Sequence, residues 1–150
     1  MRRREFIALL GGAAVALPRV VCAQQPMPVI VFFNSGTPST HVKNVAAFRN
    51  GLKEAGLVEG QNLAIEFVWA ENRFDGLETL AAEVIARRPS VIVSNTLAAI
   101  RAKSSTTAIP IVFTTGSDPI RDGLVTSLNR PGGNVYGSGF HYWHSWRQAA

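Results

Sequence analysis

Four short stretches of this chain gather the side chains with which a protein holds a small solute. They are Asn34-Ser35-Gly36-Thr37, Ala70-Glu71-Asn72, Ser94-Asn95-Thr96 and Thr114-Thr115-Gly116-Ser117-Asp118. Hydroxyls, carboxamides and exposed backbone amides donate hydrogen bonds to a carboxylate, and a carboxylate such as that of Asp118 receives an ammonium group. The candidate contacts are Asn34, Ser35, Ser94, Asn95, Thr96, Thr115, Ser117 and Asp118. The same residue types cap helices and close turns. Taken singly, each is better explained as a cap. Their recurrence after consecutive apolar runs is what points to a binding edge.

Chemistry beyond binding finds no support. The chain has no strand–GxGxxG–helix unit, no Walker A sequence and no GxSxG elbow. Gly132, Gly133, Gly137 and Gly139 follow Pro131 and precede no helix. His41 falls at a helix start, whereas His141 and His144 sit among Tyr142, Trp143 and Trp146 with no carboxylate or thiol beside them. Metal ligation needs such partners, so neither a metal nor a cofactor is expected. Asp118 and Asp122 stand in Asp-Pro and Asp-Gly pairs, the ordinary company of turns. No nucleophile has a base, so the chain is expected not to be an enzyme.

The elements that must position these side chains alternate. Val29–Phe33 is a β-branched and aromatic run of strand length. Val42, Val45, Phe48, Leu52 and Ala55 recur at helical spacing, with Ser39 or Thr40 as the cap before them and Gly56 as the C-terminal glycine. Leu63–Trp69 reads as a second strand. Asp75 and Glu78 form a capping-box pattern ahead of Leu77, Leu80, Ala81, Val84 and Ile85, a helix that Arg87, Arg88 and Pro89 close. Val91–Val93, a helix over Leu97–Lys103, Ile111–Phe113, a short helix around Gly123–Leu128 and a strand at Val135–Ser138 complete the series, with Pro131-Gly132-Gly133-Asn134 as the last turn. Such alternation predicts an α/β fold, an open parallel sheet with helices on both faces. In such sheets ligands bind beyond the carboxyl ends of the strands, where the four polar stretches fall.

The N-terminus reads as an export signal over 1–23. Arg2, Arg3 and Arg4 precede an uncharged stretch from Phe6 to Leu17, and Val21-Cys22-Ala23 is the expected cleavage site. The apolar stretch is shorter than the roughly 20 residues that cross a bilayer. Arg3-Arg4-Glu5-Phe6-Ile7 resembles the twin-arginine export motif, which makes the periplasm the expected location. Four arginines and one glutamate lie in this segment, so the net charge of +5 falls to +2 without it. The basic balance therefore gives no case for nucleic-acid binding. The single cysteine leaves with the signal, and with it any disulfide. Residues 24–28 form a linker. With 47% hydrophobic and 17% charged residues, the chain has the composition of a protein that buries a core.

Several longer motifs carry a resemblance. Phe48-Arg49-Asn50-Gly51-Leu52-Lys53-Glu54-Ala55-Gly56, Glu59-Gly60-Gln61-Asn62, Ile109-Pro110-Ile111-Val112-Phe113, Gly116-Ser117-Asp118-Pro119 and Leu128-Asn129-Arg130-Pro131-Gly132-Gly133-Asn134-Val135, with the Arg3-Arg4-Glu5-Phe6 signal, resemble the ABC transporter substrate-binding proteins. The resemblance implies two periplasmic α/β lobes that close on a small solute and present it to a membrane permease with its ATPase. Ser35, Ser94–Thr96 and Thr115–Asp118 match segments lining the cleft, and the implied solutes include amino acids, especially aromatic ones. Residues 29–140 would be the N-terminal lobe. The stretch 141–150 does not resemble the family's continuation, which raises a frameshift or a truncated reading frame as its origin. Two other readings stand beside this one. A non-functional fragment is one. A flavodoxin-like interaction module is the other, disfavoured by Asn34-Ser35 where an acidic cluster would follow the first strand.

Overall fold

The computed structural model describes residues 26–128 and 132–139. The segment read as an export signal (1–23), the start of the stretch read as a linker, residues 129–131 of the last turn motif and residues 140–150 lie outside them. Among the described residues five strands alternate with three helices: β1 (Val29–Asn34), α1 (Val42–Glu54), β2 (Ala64–Trp69), α2 (Leu77–Ala86), β3 (Val91–Asn95), α3 (Thr96–Ser105), β4 (Ile111–Thr115) and β5 (Val135–Gly139). The strands form one sheet in the order β2-β1-β3-β4-β5, and every pairing is parallel.

Strand alternation sorts the side chains onto two faces. Val31, Phe33, Ile92, Ile111 and Phe113 are fully buried on one of them, in a cluster with Leu77, Ala81 and Val84 of α2 and Ala98, Ala99 and Ala102 of α3. The alanines let α3 lie close on the strands. The other face carries Phe32 and Phe67 in register, and Phe32 packs against Phe48 of α1 with ring centroids 5.3 Å apart. Phe67 and Trp69 extend this aromatic layer, and the Arg49 guanidinium lies 4.9 Å above the Phe67 ring. Further along this face, Thr114 is exposed and Tyr136 is 50% exposed.

The predicted α/β sheet with helices on both faces is the observed one, while local details differ. The α1 stripe is narrower than its spacing promised. Val45, Phe48 and Leu52 are half-buried, Val42 is 63% exposed, and no residue of α1 is fully buried. Neither Ser39 nor Thr40 caps α1; both fall in a 3-10 turn, Ser39–His41, that leads into it. The Asp75/Glu78 box does not form either, because a 3-10 turn over Phe74–Gly76 puts Gly76 at the cap position of α2. At the far end of α1, Gly56 adopts φ +80°, and the N–H groups of Leu57 and Gly56 return to the carbonyls of Leu52 and Lys53 at 2.9 and 3.0 Å. This is the left-handed stop that a glycine permits.

No helix forms at Gly123–Leu128. Gly123 takes φ +72° within a turn closed by Asp122 N–H to Asp118 O and Leu124 N–H to Pro119 O, at 3.0 and 2.9 Å. Leu124 and Val125 are buried side by side in the α2/α3 core. Adjacent apolar residues plug a core from a loop, whereas a helix would need them three or four apart.

Candidate functional site

Strand order reverses direction at β1, since β2 lies on one side of it and β3 on the other. A switch point opens a crevice at the carboxyl ends of the strands, because the loops leaving β1 and β3 diverge to opposite faces. The loops here are tied together across it. Asn95 ends β3 and caps α3, its Oδ1 accepting from Ala98 N–H at 3.3 Å. The same Oδ1 accepts from Ser35 N–H at 3.3 Å, and Asn95 Nδ2 donates to Ser35 Oγ at 2.7 Å. Asn34 Oδ1 accepts from Gly36 N–H at 2.8 Å. The loop after β2 joins on the outer side, with Ala70, Glu71 and Asn72 N–H donating to the carbonyls of Asn34, Gly36 and Ser35 at 2.9, 3.0 and 2.9 Å. Glu71 and Asn72 reach these bonds only in the left-handed region, at φ +51° and +62°.

The third tip continues the edge. Thr96 Oγ1 donates to Thr115 Oγ1 at 3.0 Å, Ser117 N–H donates to Thr115 Oγ1 at 3.0 Å, and the Ser117 hydroxyl donates to the Asp122 carboxylate. Asp118 Oδ1 accepts from Ile120 N–H at 2.9 Å, which closes the turn after β4. All eight predicted residues thus lie along one edge of the sheet. Most of their hydrogen-bonding capacity is engaged in holding that edge together.

Between α1 and strands β1, β3 and β4, this edge encloses a cavity of about 290 Å³. Asn34, Ser94 and Asn95 line it, as do Phe32, Val93 and Thr114 from the strands and His41, Asn44, Ala47 and Phe48 from α1 and its lead-in turn. The lining joins the rings of Phe32 and Phe48 with carboxamides, a threonine and an imidazole; Asn34 is buried, while Asn44 and Thr114 are exposed. No acidic, lysine or arginine side chain is among this lining. Ser94 contributes differently from expectation. Alternation along β3 directs its hydroxyl to the α2/α3 face, where it is buried without a hydrogen-bond partner among the described residues. Ser35, Thr96, Thr115, Ser117 and Asp118 are not in the lining.

His41, Asn44 and Phe48 were not among the predicted contacts. Their signal was present in the spacing, since positions 41, 44 and 48 fall on one helical face directly after the β1 loop. A helix that starts at the edge where β1 ends points its first turn at that edge. Among the described residues no group of histidine, cysteine, aspartate and glutamate side chains can hold a metal ion, and no helix is long and apolar enough to cross a membrane.

Known proteins share this architecture. A Vibrio cholerae conserved domain protein superposes with a TM-score of 0.69 at 29% identity, covering 74% of this chain and 38% of its own. A ligand-free, open substrate-binding protein with adhesive properties from Clostridium difficile gives 0.69 at 28% identity, over 75% of this chain and 38% of its own. A Streptococcus pneumonia structure described as an ABC domain in complex with L-Trp gives 0.68 at 25%, with the same coverage. A Clostridioides difficile tyrosine-binding protein is 35% identical over 92 residues, 61% of this chain. The chain spans 27% of that relative's length. The sequence profile of the family described as ABC transporter substrate binding protein matches residues 29–140, the whole α/β unit from β1 through β5. With the sheet order, the polar edge and that match in agreement, the chain belongs to the ABC transporter substrate-binding protein family.

Proposed function

We propose that this chain supplies one wall of a solute-binding cleft and captures an amino acid, with an aromatic side chain preferred, for an ABC permease and its ATPase. The observation that carries the proposal is the cavity at the β1/β3 switch point, whose lining combines the rings of Phe32 and Phe48 with the polar side chains of Asn34, Asn44 and Thr114. A ring settles on apolar carbon, while the amino-acid head needs hydrogen bonds. The tyrosine and tryptophan named for two relatives support the choice of solute. Under this reading residues 29–140 are one of two lobes, 1–23 direct export to the periplasm, and no reaction is catalysed.

A single wall leaves one side of the solute in water, so the chain on its own binds weakly, roughly at the millimolar level. Titrating the labelled chain with L-tyrosine, L-tryptophan, L-leucine and L-glutamate while following backbone amide resonances tests this. Amides at 34–36 and 94–96 respond, most to the aromatic pair. A response confined to other surfaces refutes the cleft assignment, and submicromolar binding by this chain refutes the need for a second wall.

A further inference from the structure

His41 lines the cavity, and its ring is held in one orientation. Nδ1 lies 3.2 Å from the Thr37 carbonyl oxygen and 2.8 Å from Thr40 Oγ1. A carbonyl oxygen only accepts, so a bare Nδ1 would set two lone pairs against each other. The Thr40 hydroxyl donates to that same carbonyl at 3.0 Å, which leaves Thr40 Oγ1 with a lone pair toward the ring. Both neighbours therefore call for a proton on Nδ1. In the neutral imidazole the other nitrogen, Nε2, is then an acceptor.

Packing keeps the ring from turning over. A Cβ added at Gly36 would stand 2.5 Å from His41 Cε1 and 3.0 Å from Nδ1, so the ring rests directly on the glycine backbone. The Trp69 ring covers another side at 5.6 Å and 50°. With Nδ1 and Cε1 packed against the 36–40 turn, the Nε2–Cδ2 edge is the part left to face the cavity that His41 shares with Asn34, Asn44 and Phe48.

Resting on the solute-capture reading, we propose that His41 determines specificity by accepting, through Nε2, a hydrogen bond from a donor carried on the solute's ring, a phenolic O–H or an indole N–H. Phe32 and Phe48 offer the apolar contact for the ring itself, and no acidic side chain in the described lining competes for the donor. A ring without a donor leaves Nε2 desolvated and unpaired, which discriminates against it.

Long-range ¹H–¹⁵N correlation spectra of the labelled full chain read the tautomer directly, with His41→Phe assigning the signal among the three histidines. Nδ1 is found protonated and Nε2 bare. L-tyrosine then shifts the Nε2 resonance, and L-phenylalanine leaves it in place. His41→Phe lowers the affinity for L-tyrosine about five- to tenfold and leaves that for L-phenylalanine unchanged or raised, while His41→Gln, whose carboxamide oxygen also accepts, restores part of the loss. A protonated Nε2 in the free chain overturns the assignment. So does an unmoved Nε2 while the amides at Asn34 and Asn95 respond, an outcome that leaves solute capture standing. Silence of amides and ring alike toward both amino acids overturns the two readings together.

Discussion

Asn95 is the residue whose removal tests the architecture of the edge most directly. Its side chain makes three bonds: it caps α3 through Ala98 N–H, accepts from Ser35 N–H, and donates to Ser35 Oγ. Losing an asparagine cap costs about 1 kcal/mol. Ser35 is only 4% exposed, so its orphaned N–H and hydroxyl are poorly reached by water and add about 1–2 kcal/mol. Asn95→Ala is therefore expected to destabilise by about 2–3 kcal/mol, or about 10–15 °C in Tm for a domain of this size. Asn95→Ser separates the contributions, since serine caps as well as asparagine but is too short to bridge to Ser35. It should recover about 1 kcal/mol. Urea unfolding followed by circular dichroism measures both, and a cycle with Ser35→Ala isolates the bridge. If Asn95→Ala shifts stability by less than about 0.5 kcal/mol, the loops are not clamped across the switch point and the edge is not a preformed wall.

Three further substitutions probe separate arguments. Gly137 lies opposite Phe113 in register, and an added Cβ would stand 2.6 Å from Phe113 Cζ, so Gly137→Ala should cost about 1–3 kcal/mol by forcing a fully buried ring to move; an unchanged urea midpoint would contradict the close approach of β5. Arg88 follows α2 at φ +52°, where glycine is the favoured residue, and Arg88→Gly should raise stability by about 0.5–1 kcal/mol in the same assay, with a fall counting against strain at that position. The Ser94 hydroxyl is buried without a partner among the described residues, so Ser94→Ala should leave stability unchanged or raise it by about 1 kcal/mol. A loss above about 1 kcal/mol would mean that the hydroxyl has a partner.

The sheet was legible because its signal is redundant. Val29–Phe33, Val91–Val93 and Ile111–Phe113 are short and apolar on both faces, as strands covered on both sides must be, and the apolar periodicity of the intervening segments left little choice but helices. Helix starts were less legible. Ser39, Thr40 and Asp75 had the right side chains for caps, but 3-10 turns moved each helix start past them. Asn95 was recognisable as polar and well placed. That one carboxamide would serve a helix and a neighbouring loop together depends on the distance between β1 and β3, which no local pattern contains.

The same distance explains why cap and contact were competing readings of the polar tips when they need not exclude each other. A wall that binds a solute must hold its donors in place before the solute arrives, or the ordering cost falls on binding. Asn95, Ser35, Thr96 and Thr115 meet that need by bonding to one another, which leaves few of their own groups for a ligand. The groups with capacity to spare line the cavity beside them, on the lead-in turn and first turn of α1 and near the ends of β1 and β4: Asn34, His41, Asn44 and Thr114. Under the proposed reading, composition at the strand ends marks the edge while naming its scaffold more readily than its contacts. The proposed contacts come from the face of the helix that the scaffold turns toward the crevice, which is why His41, met in the sequence as an ordinary helix start, is proposed as an acceptor on the cavity.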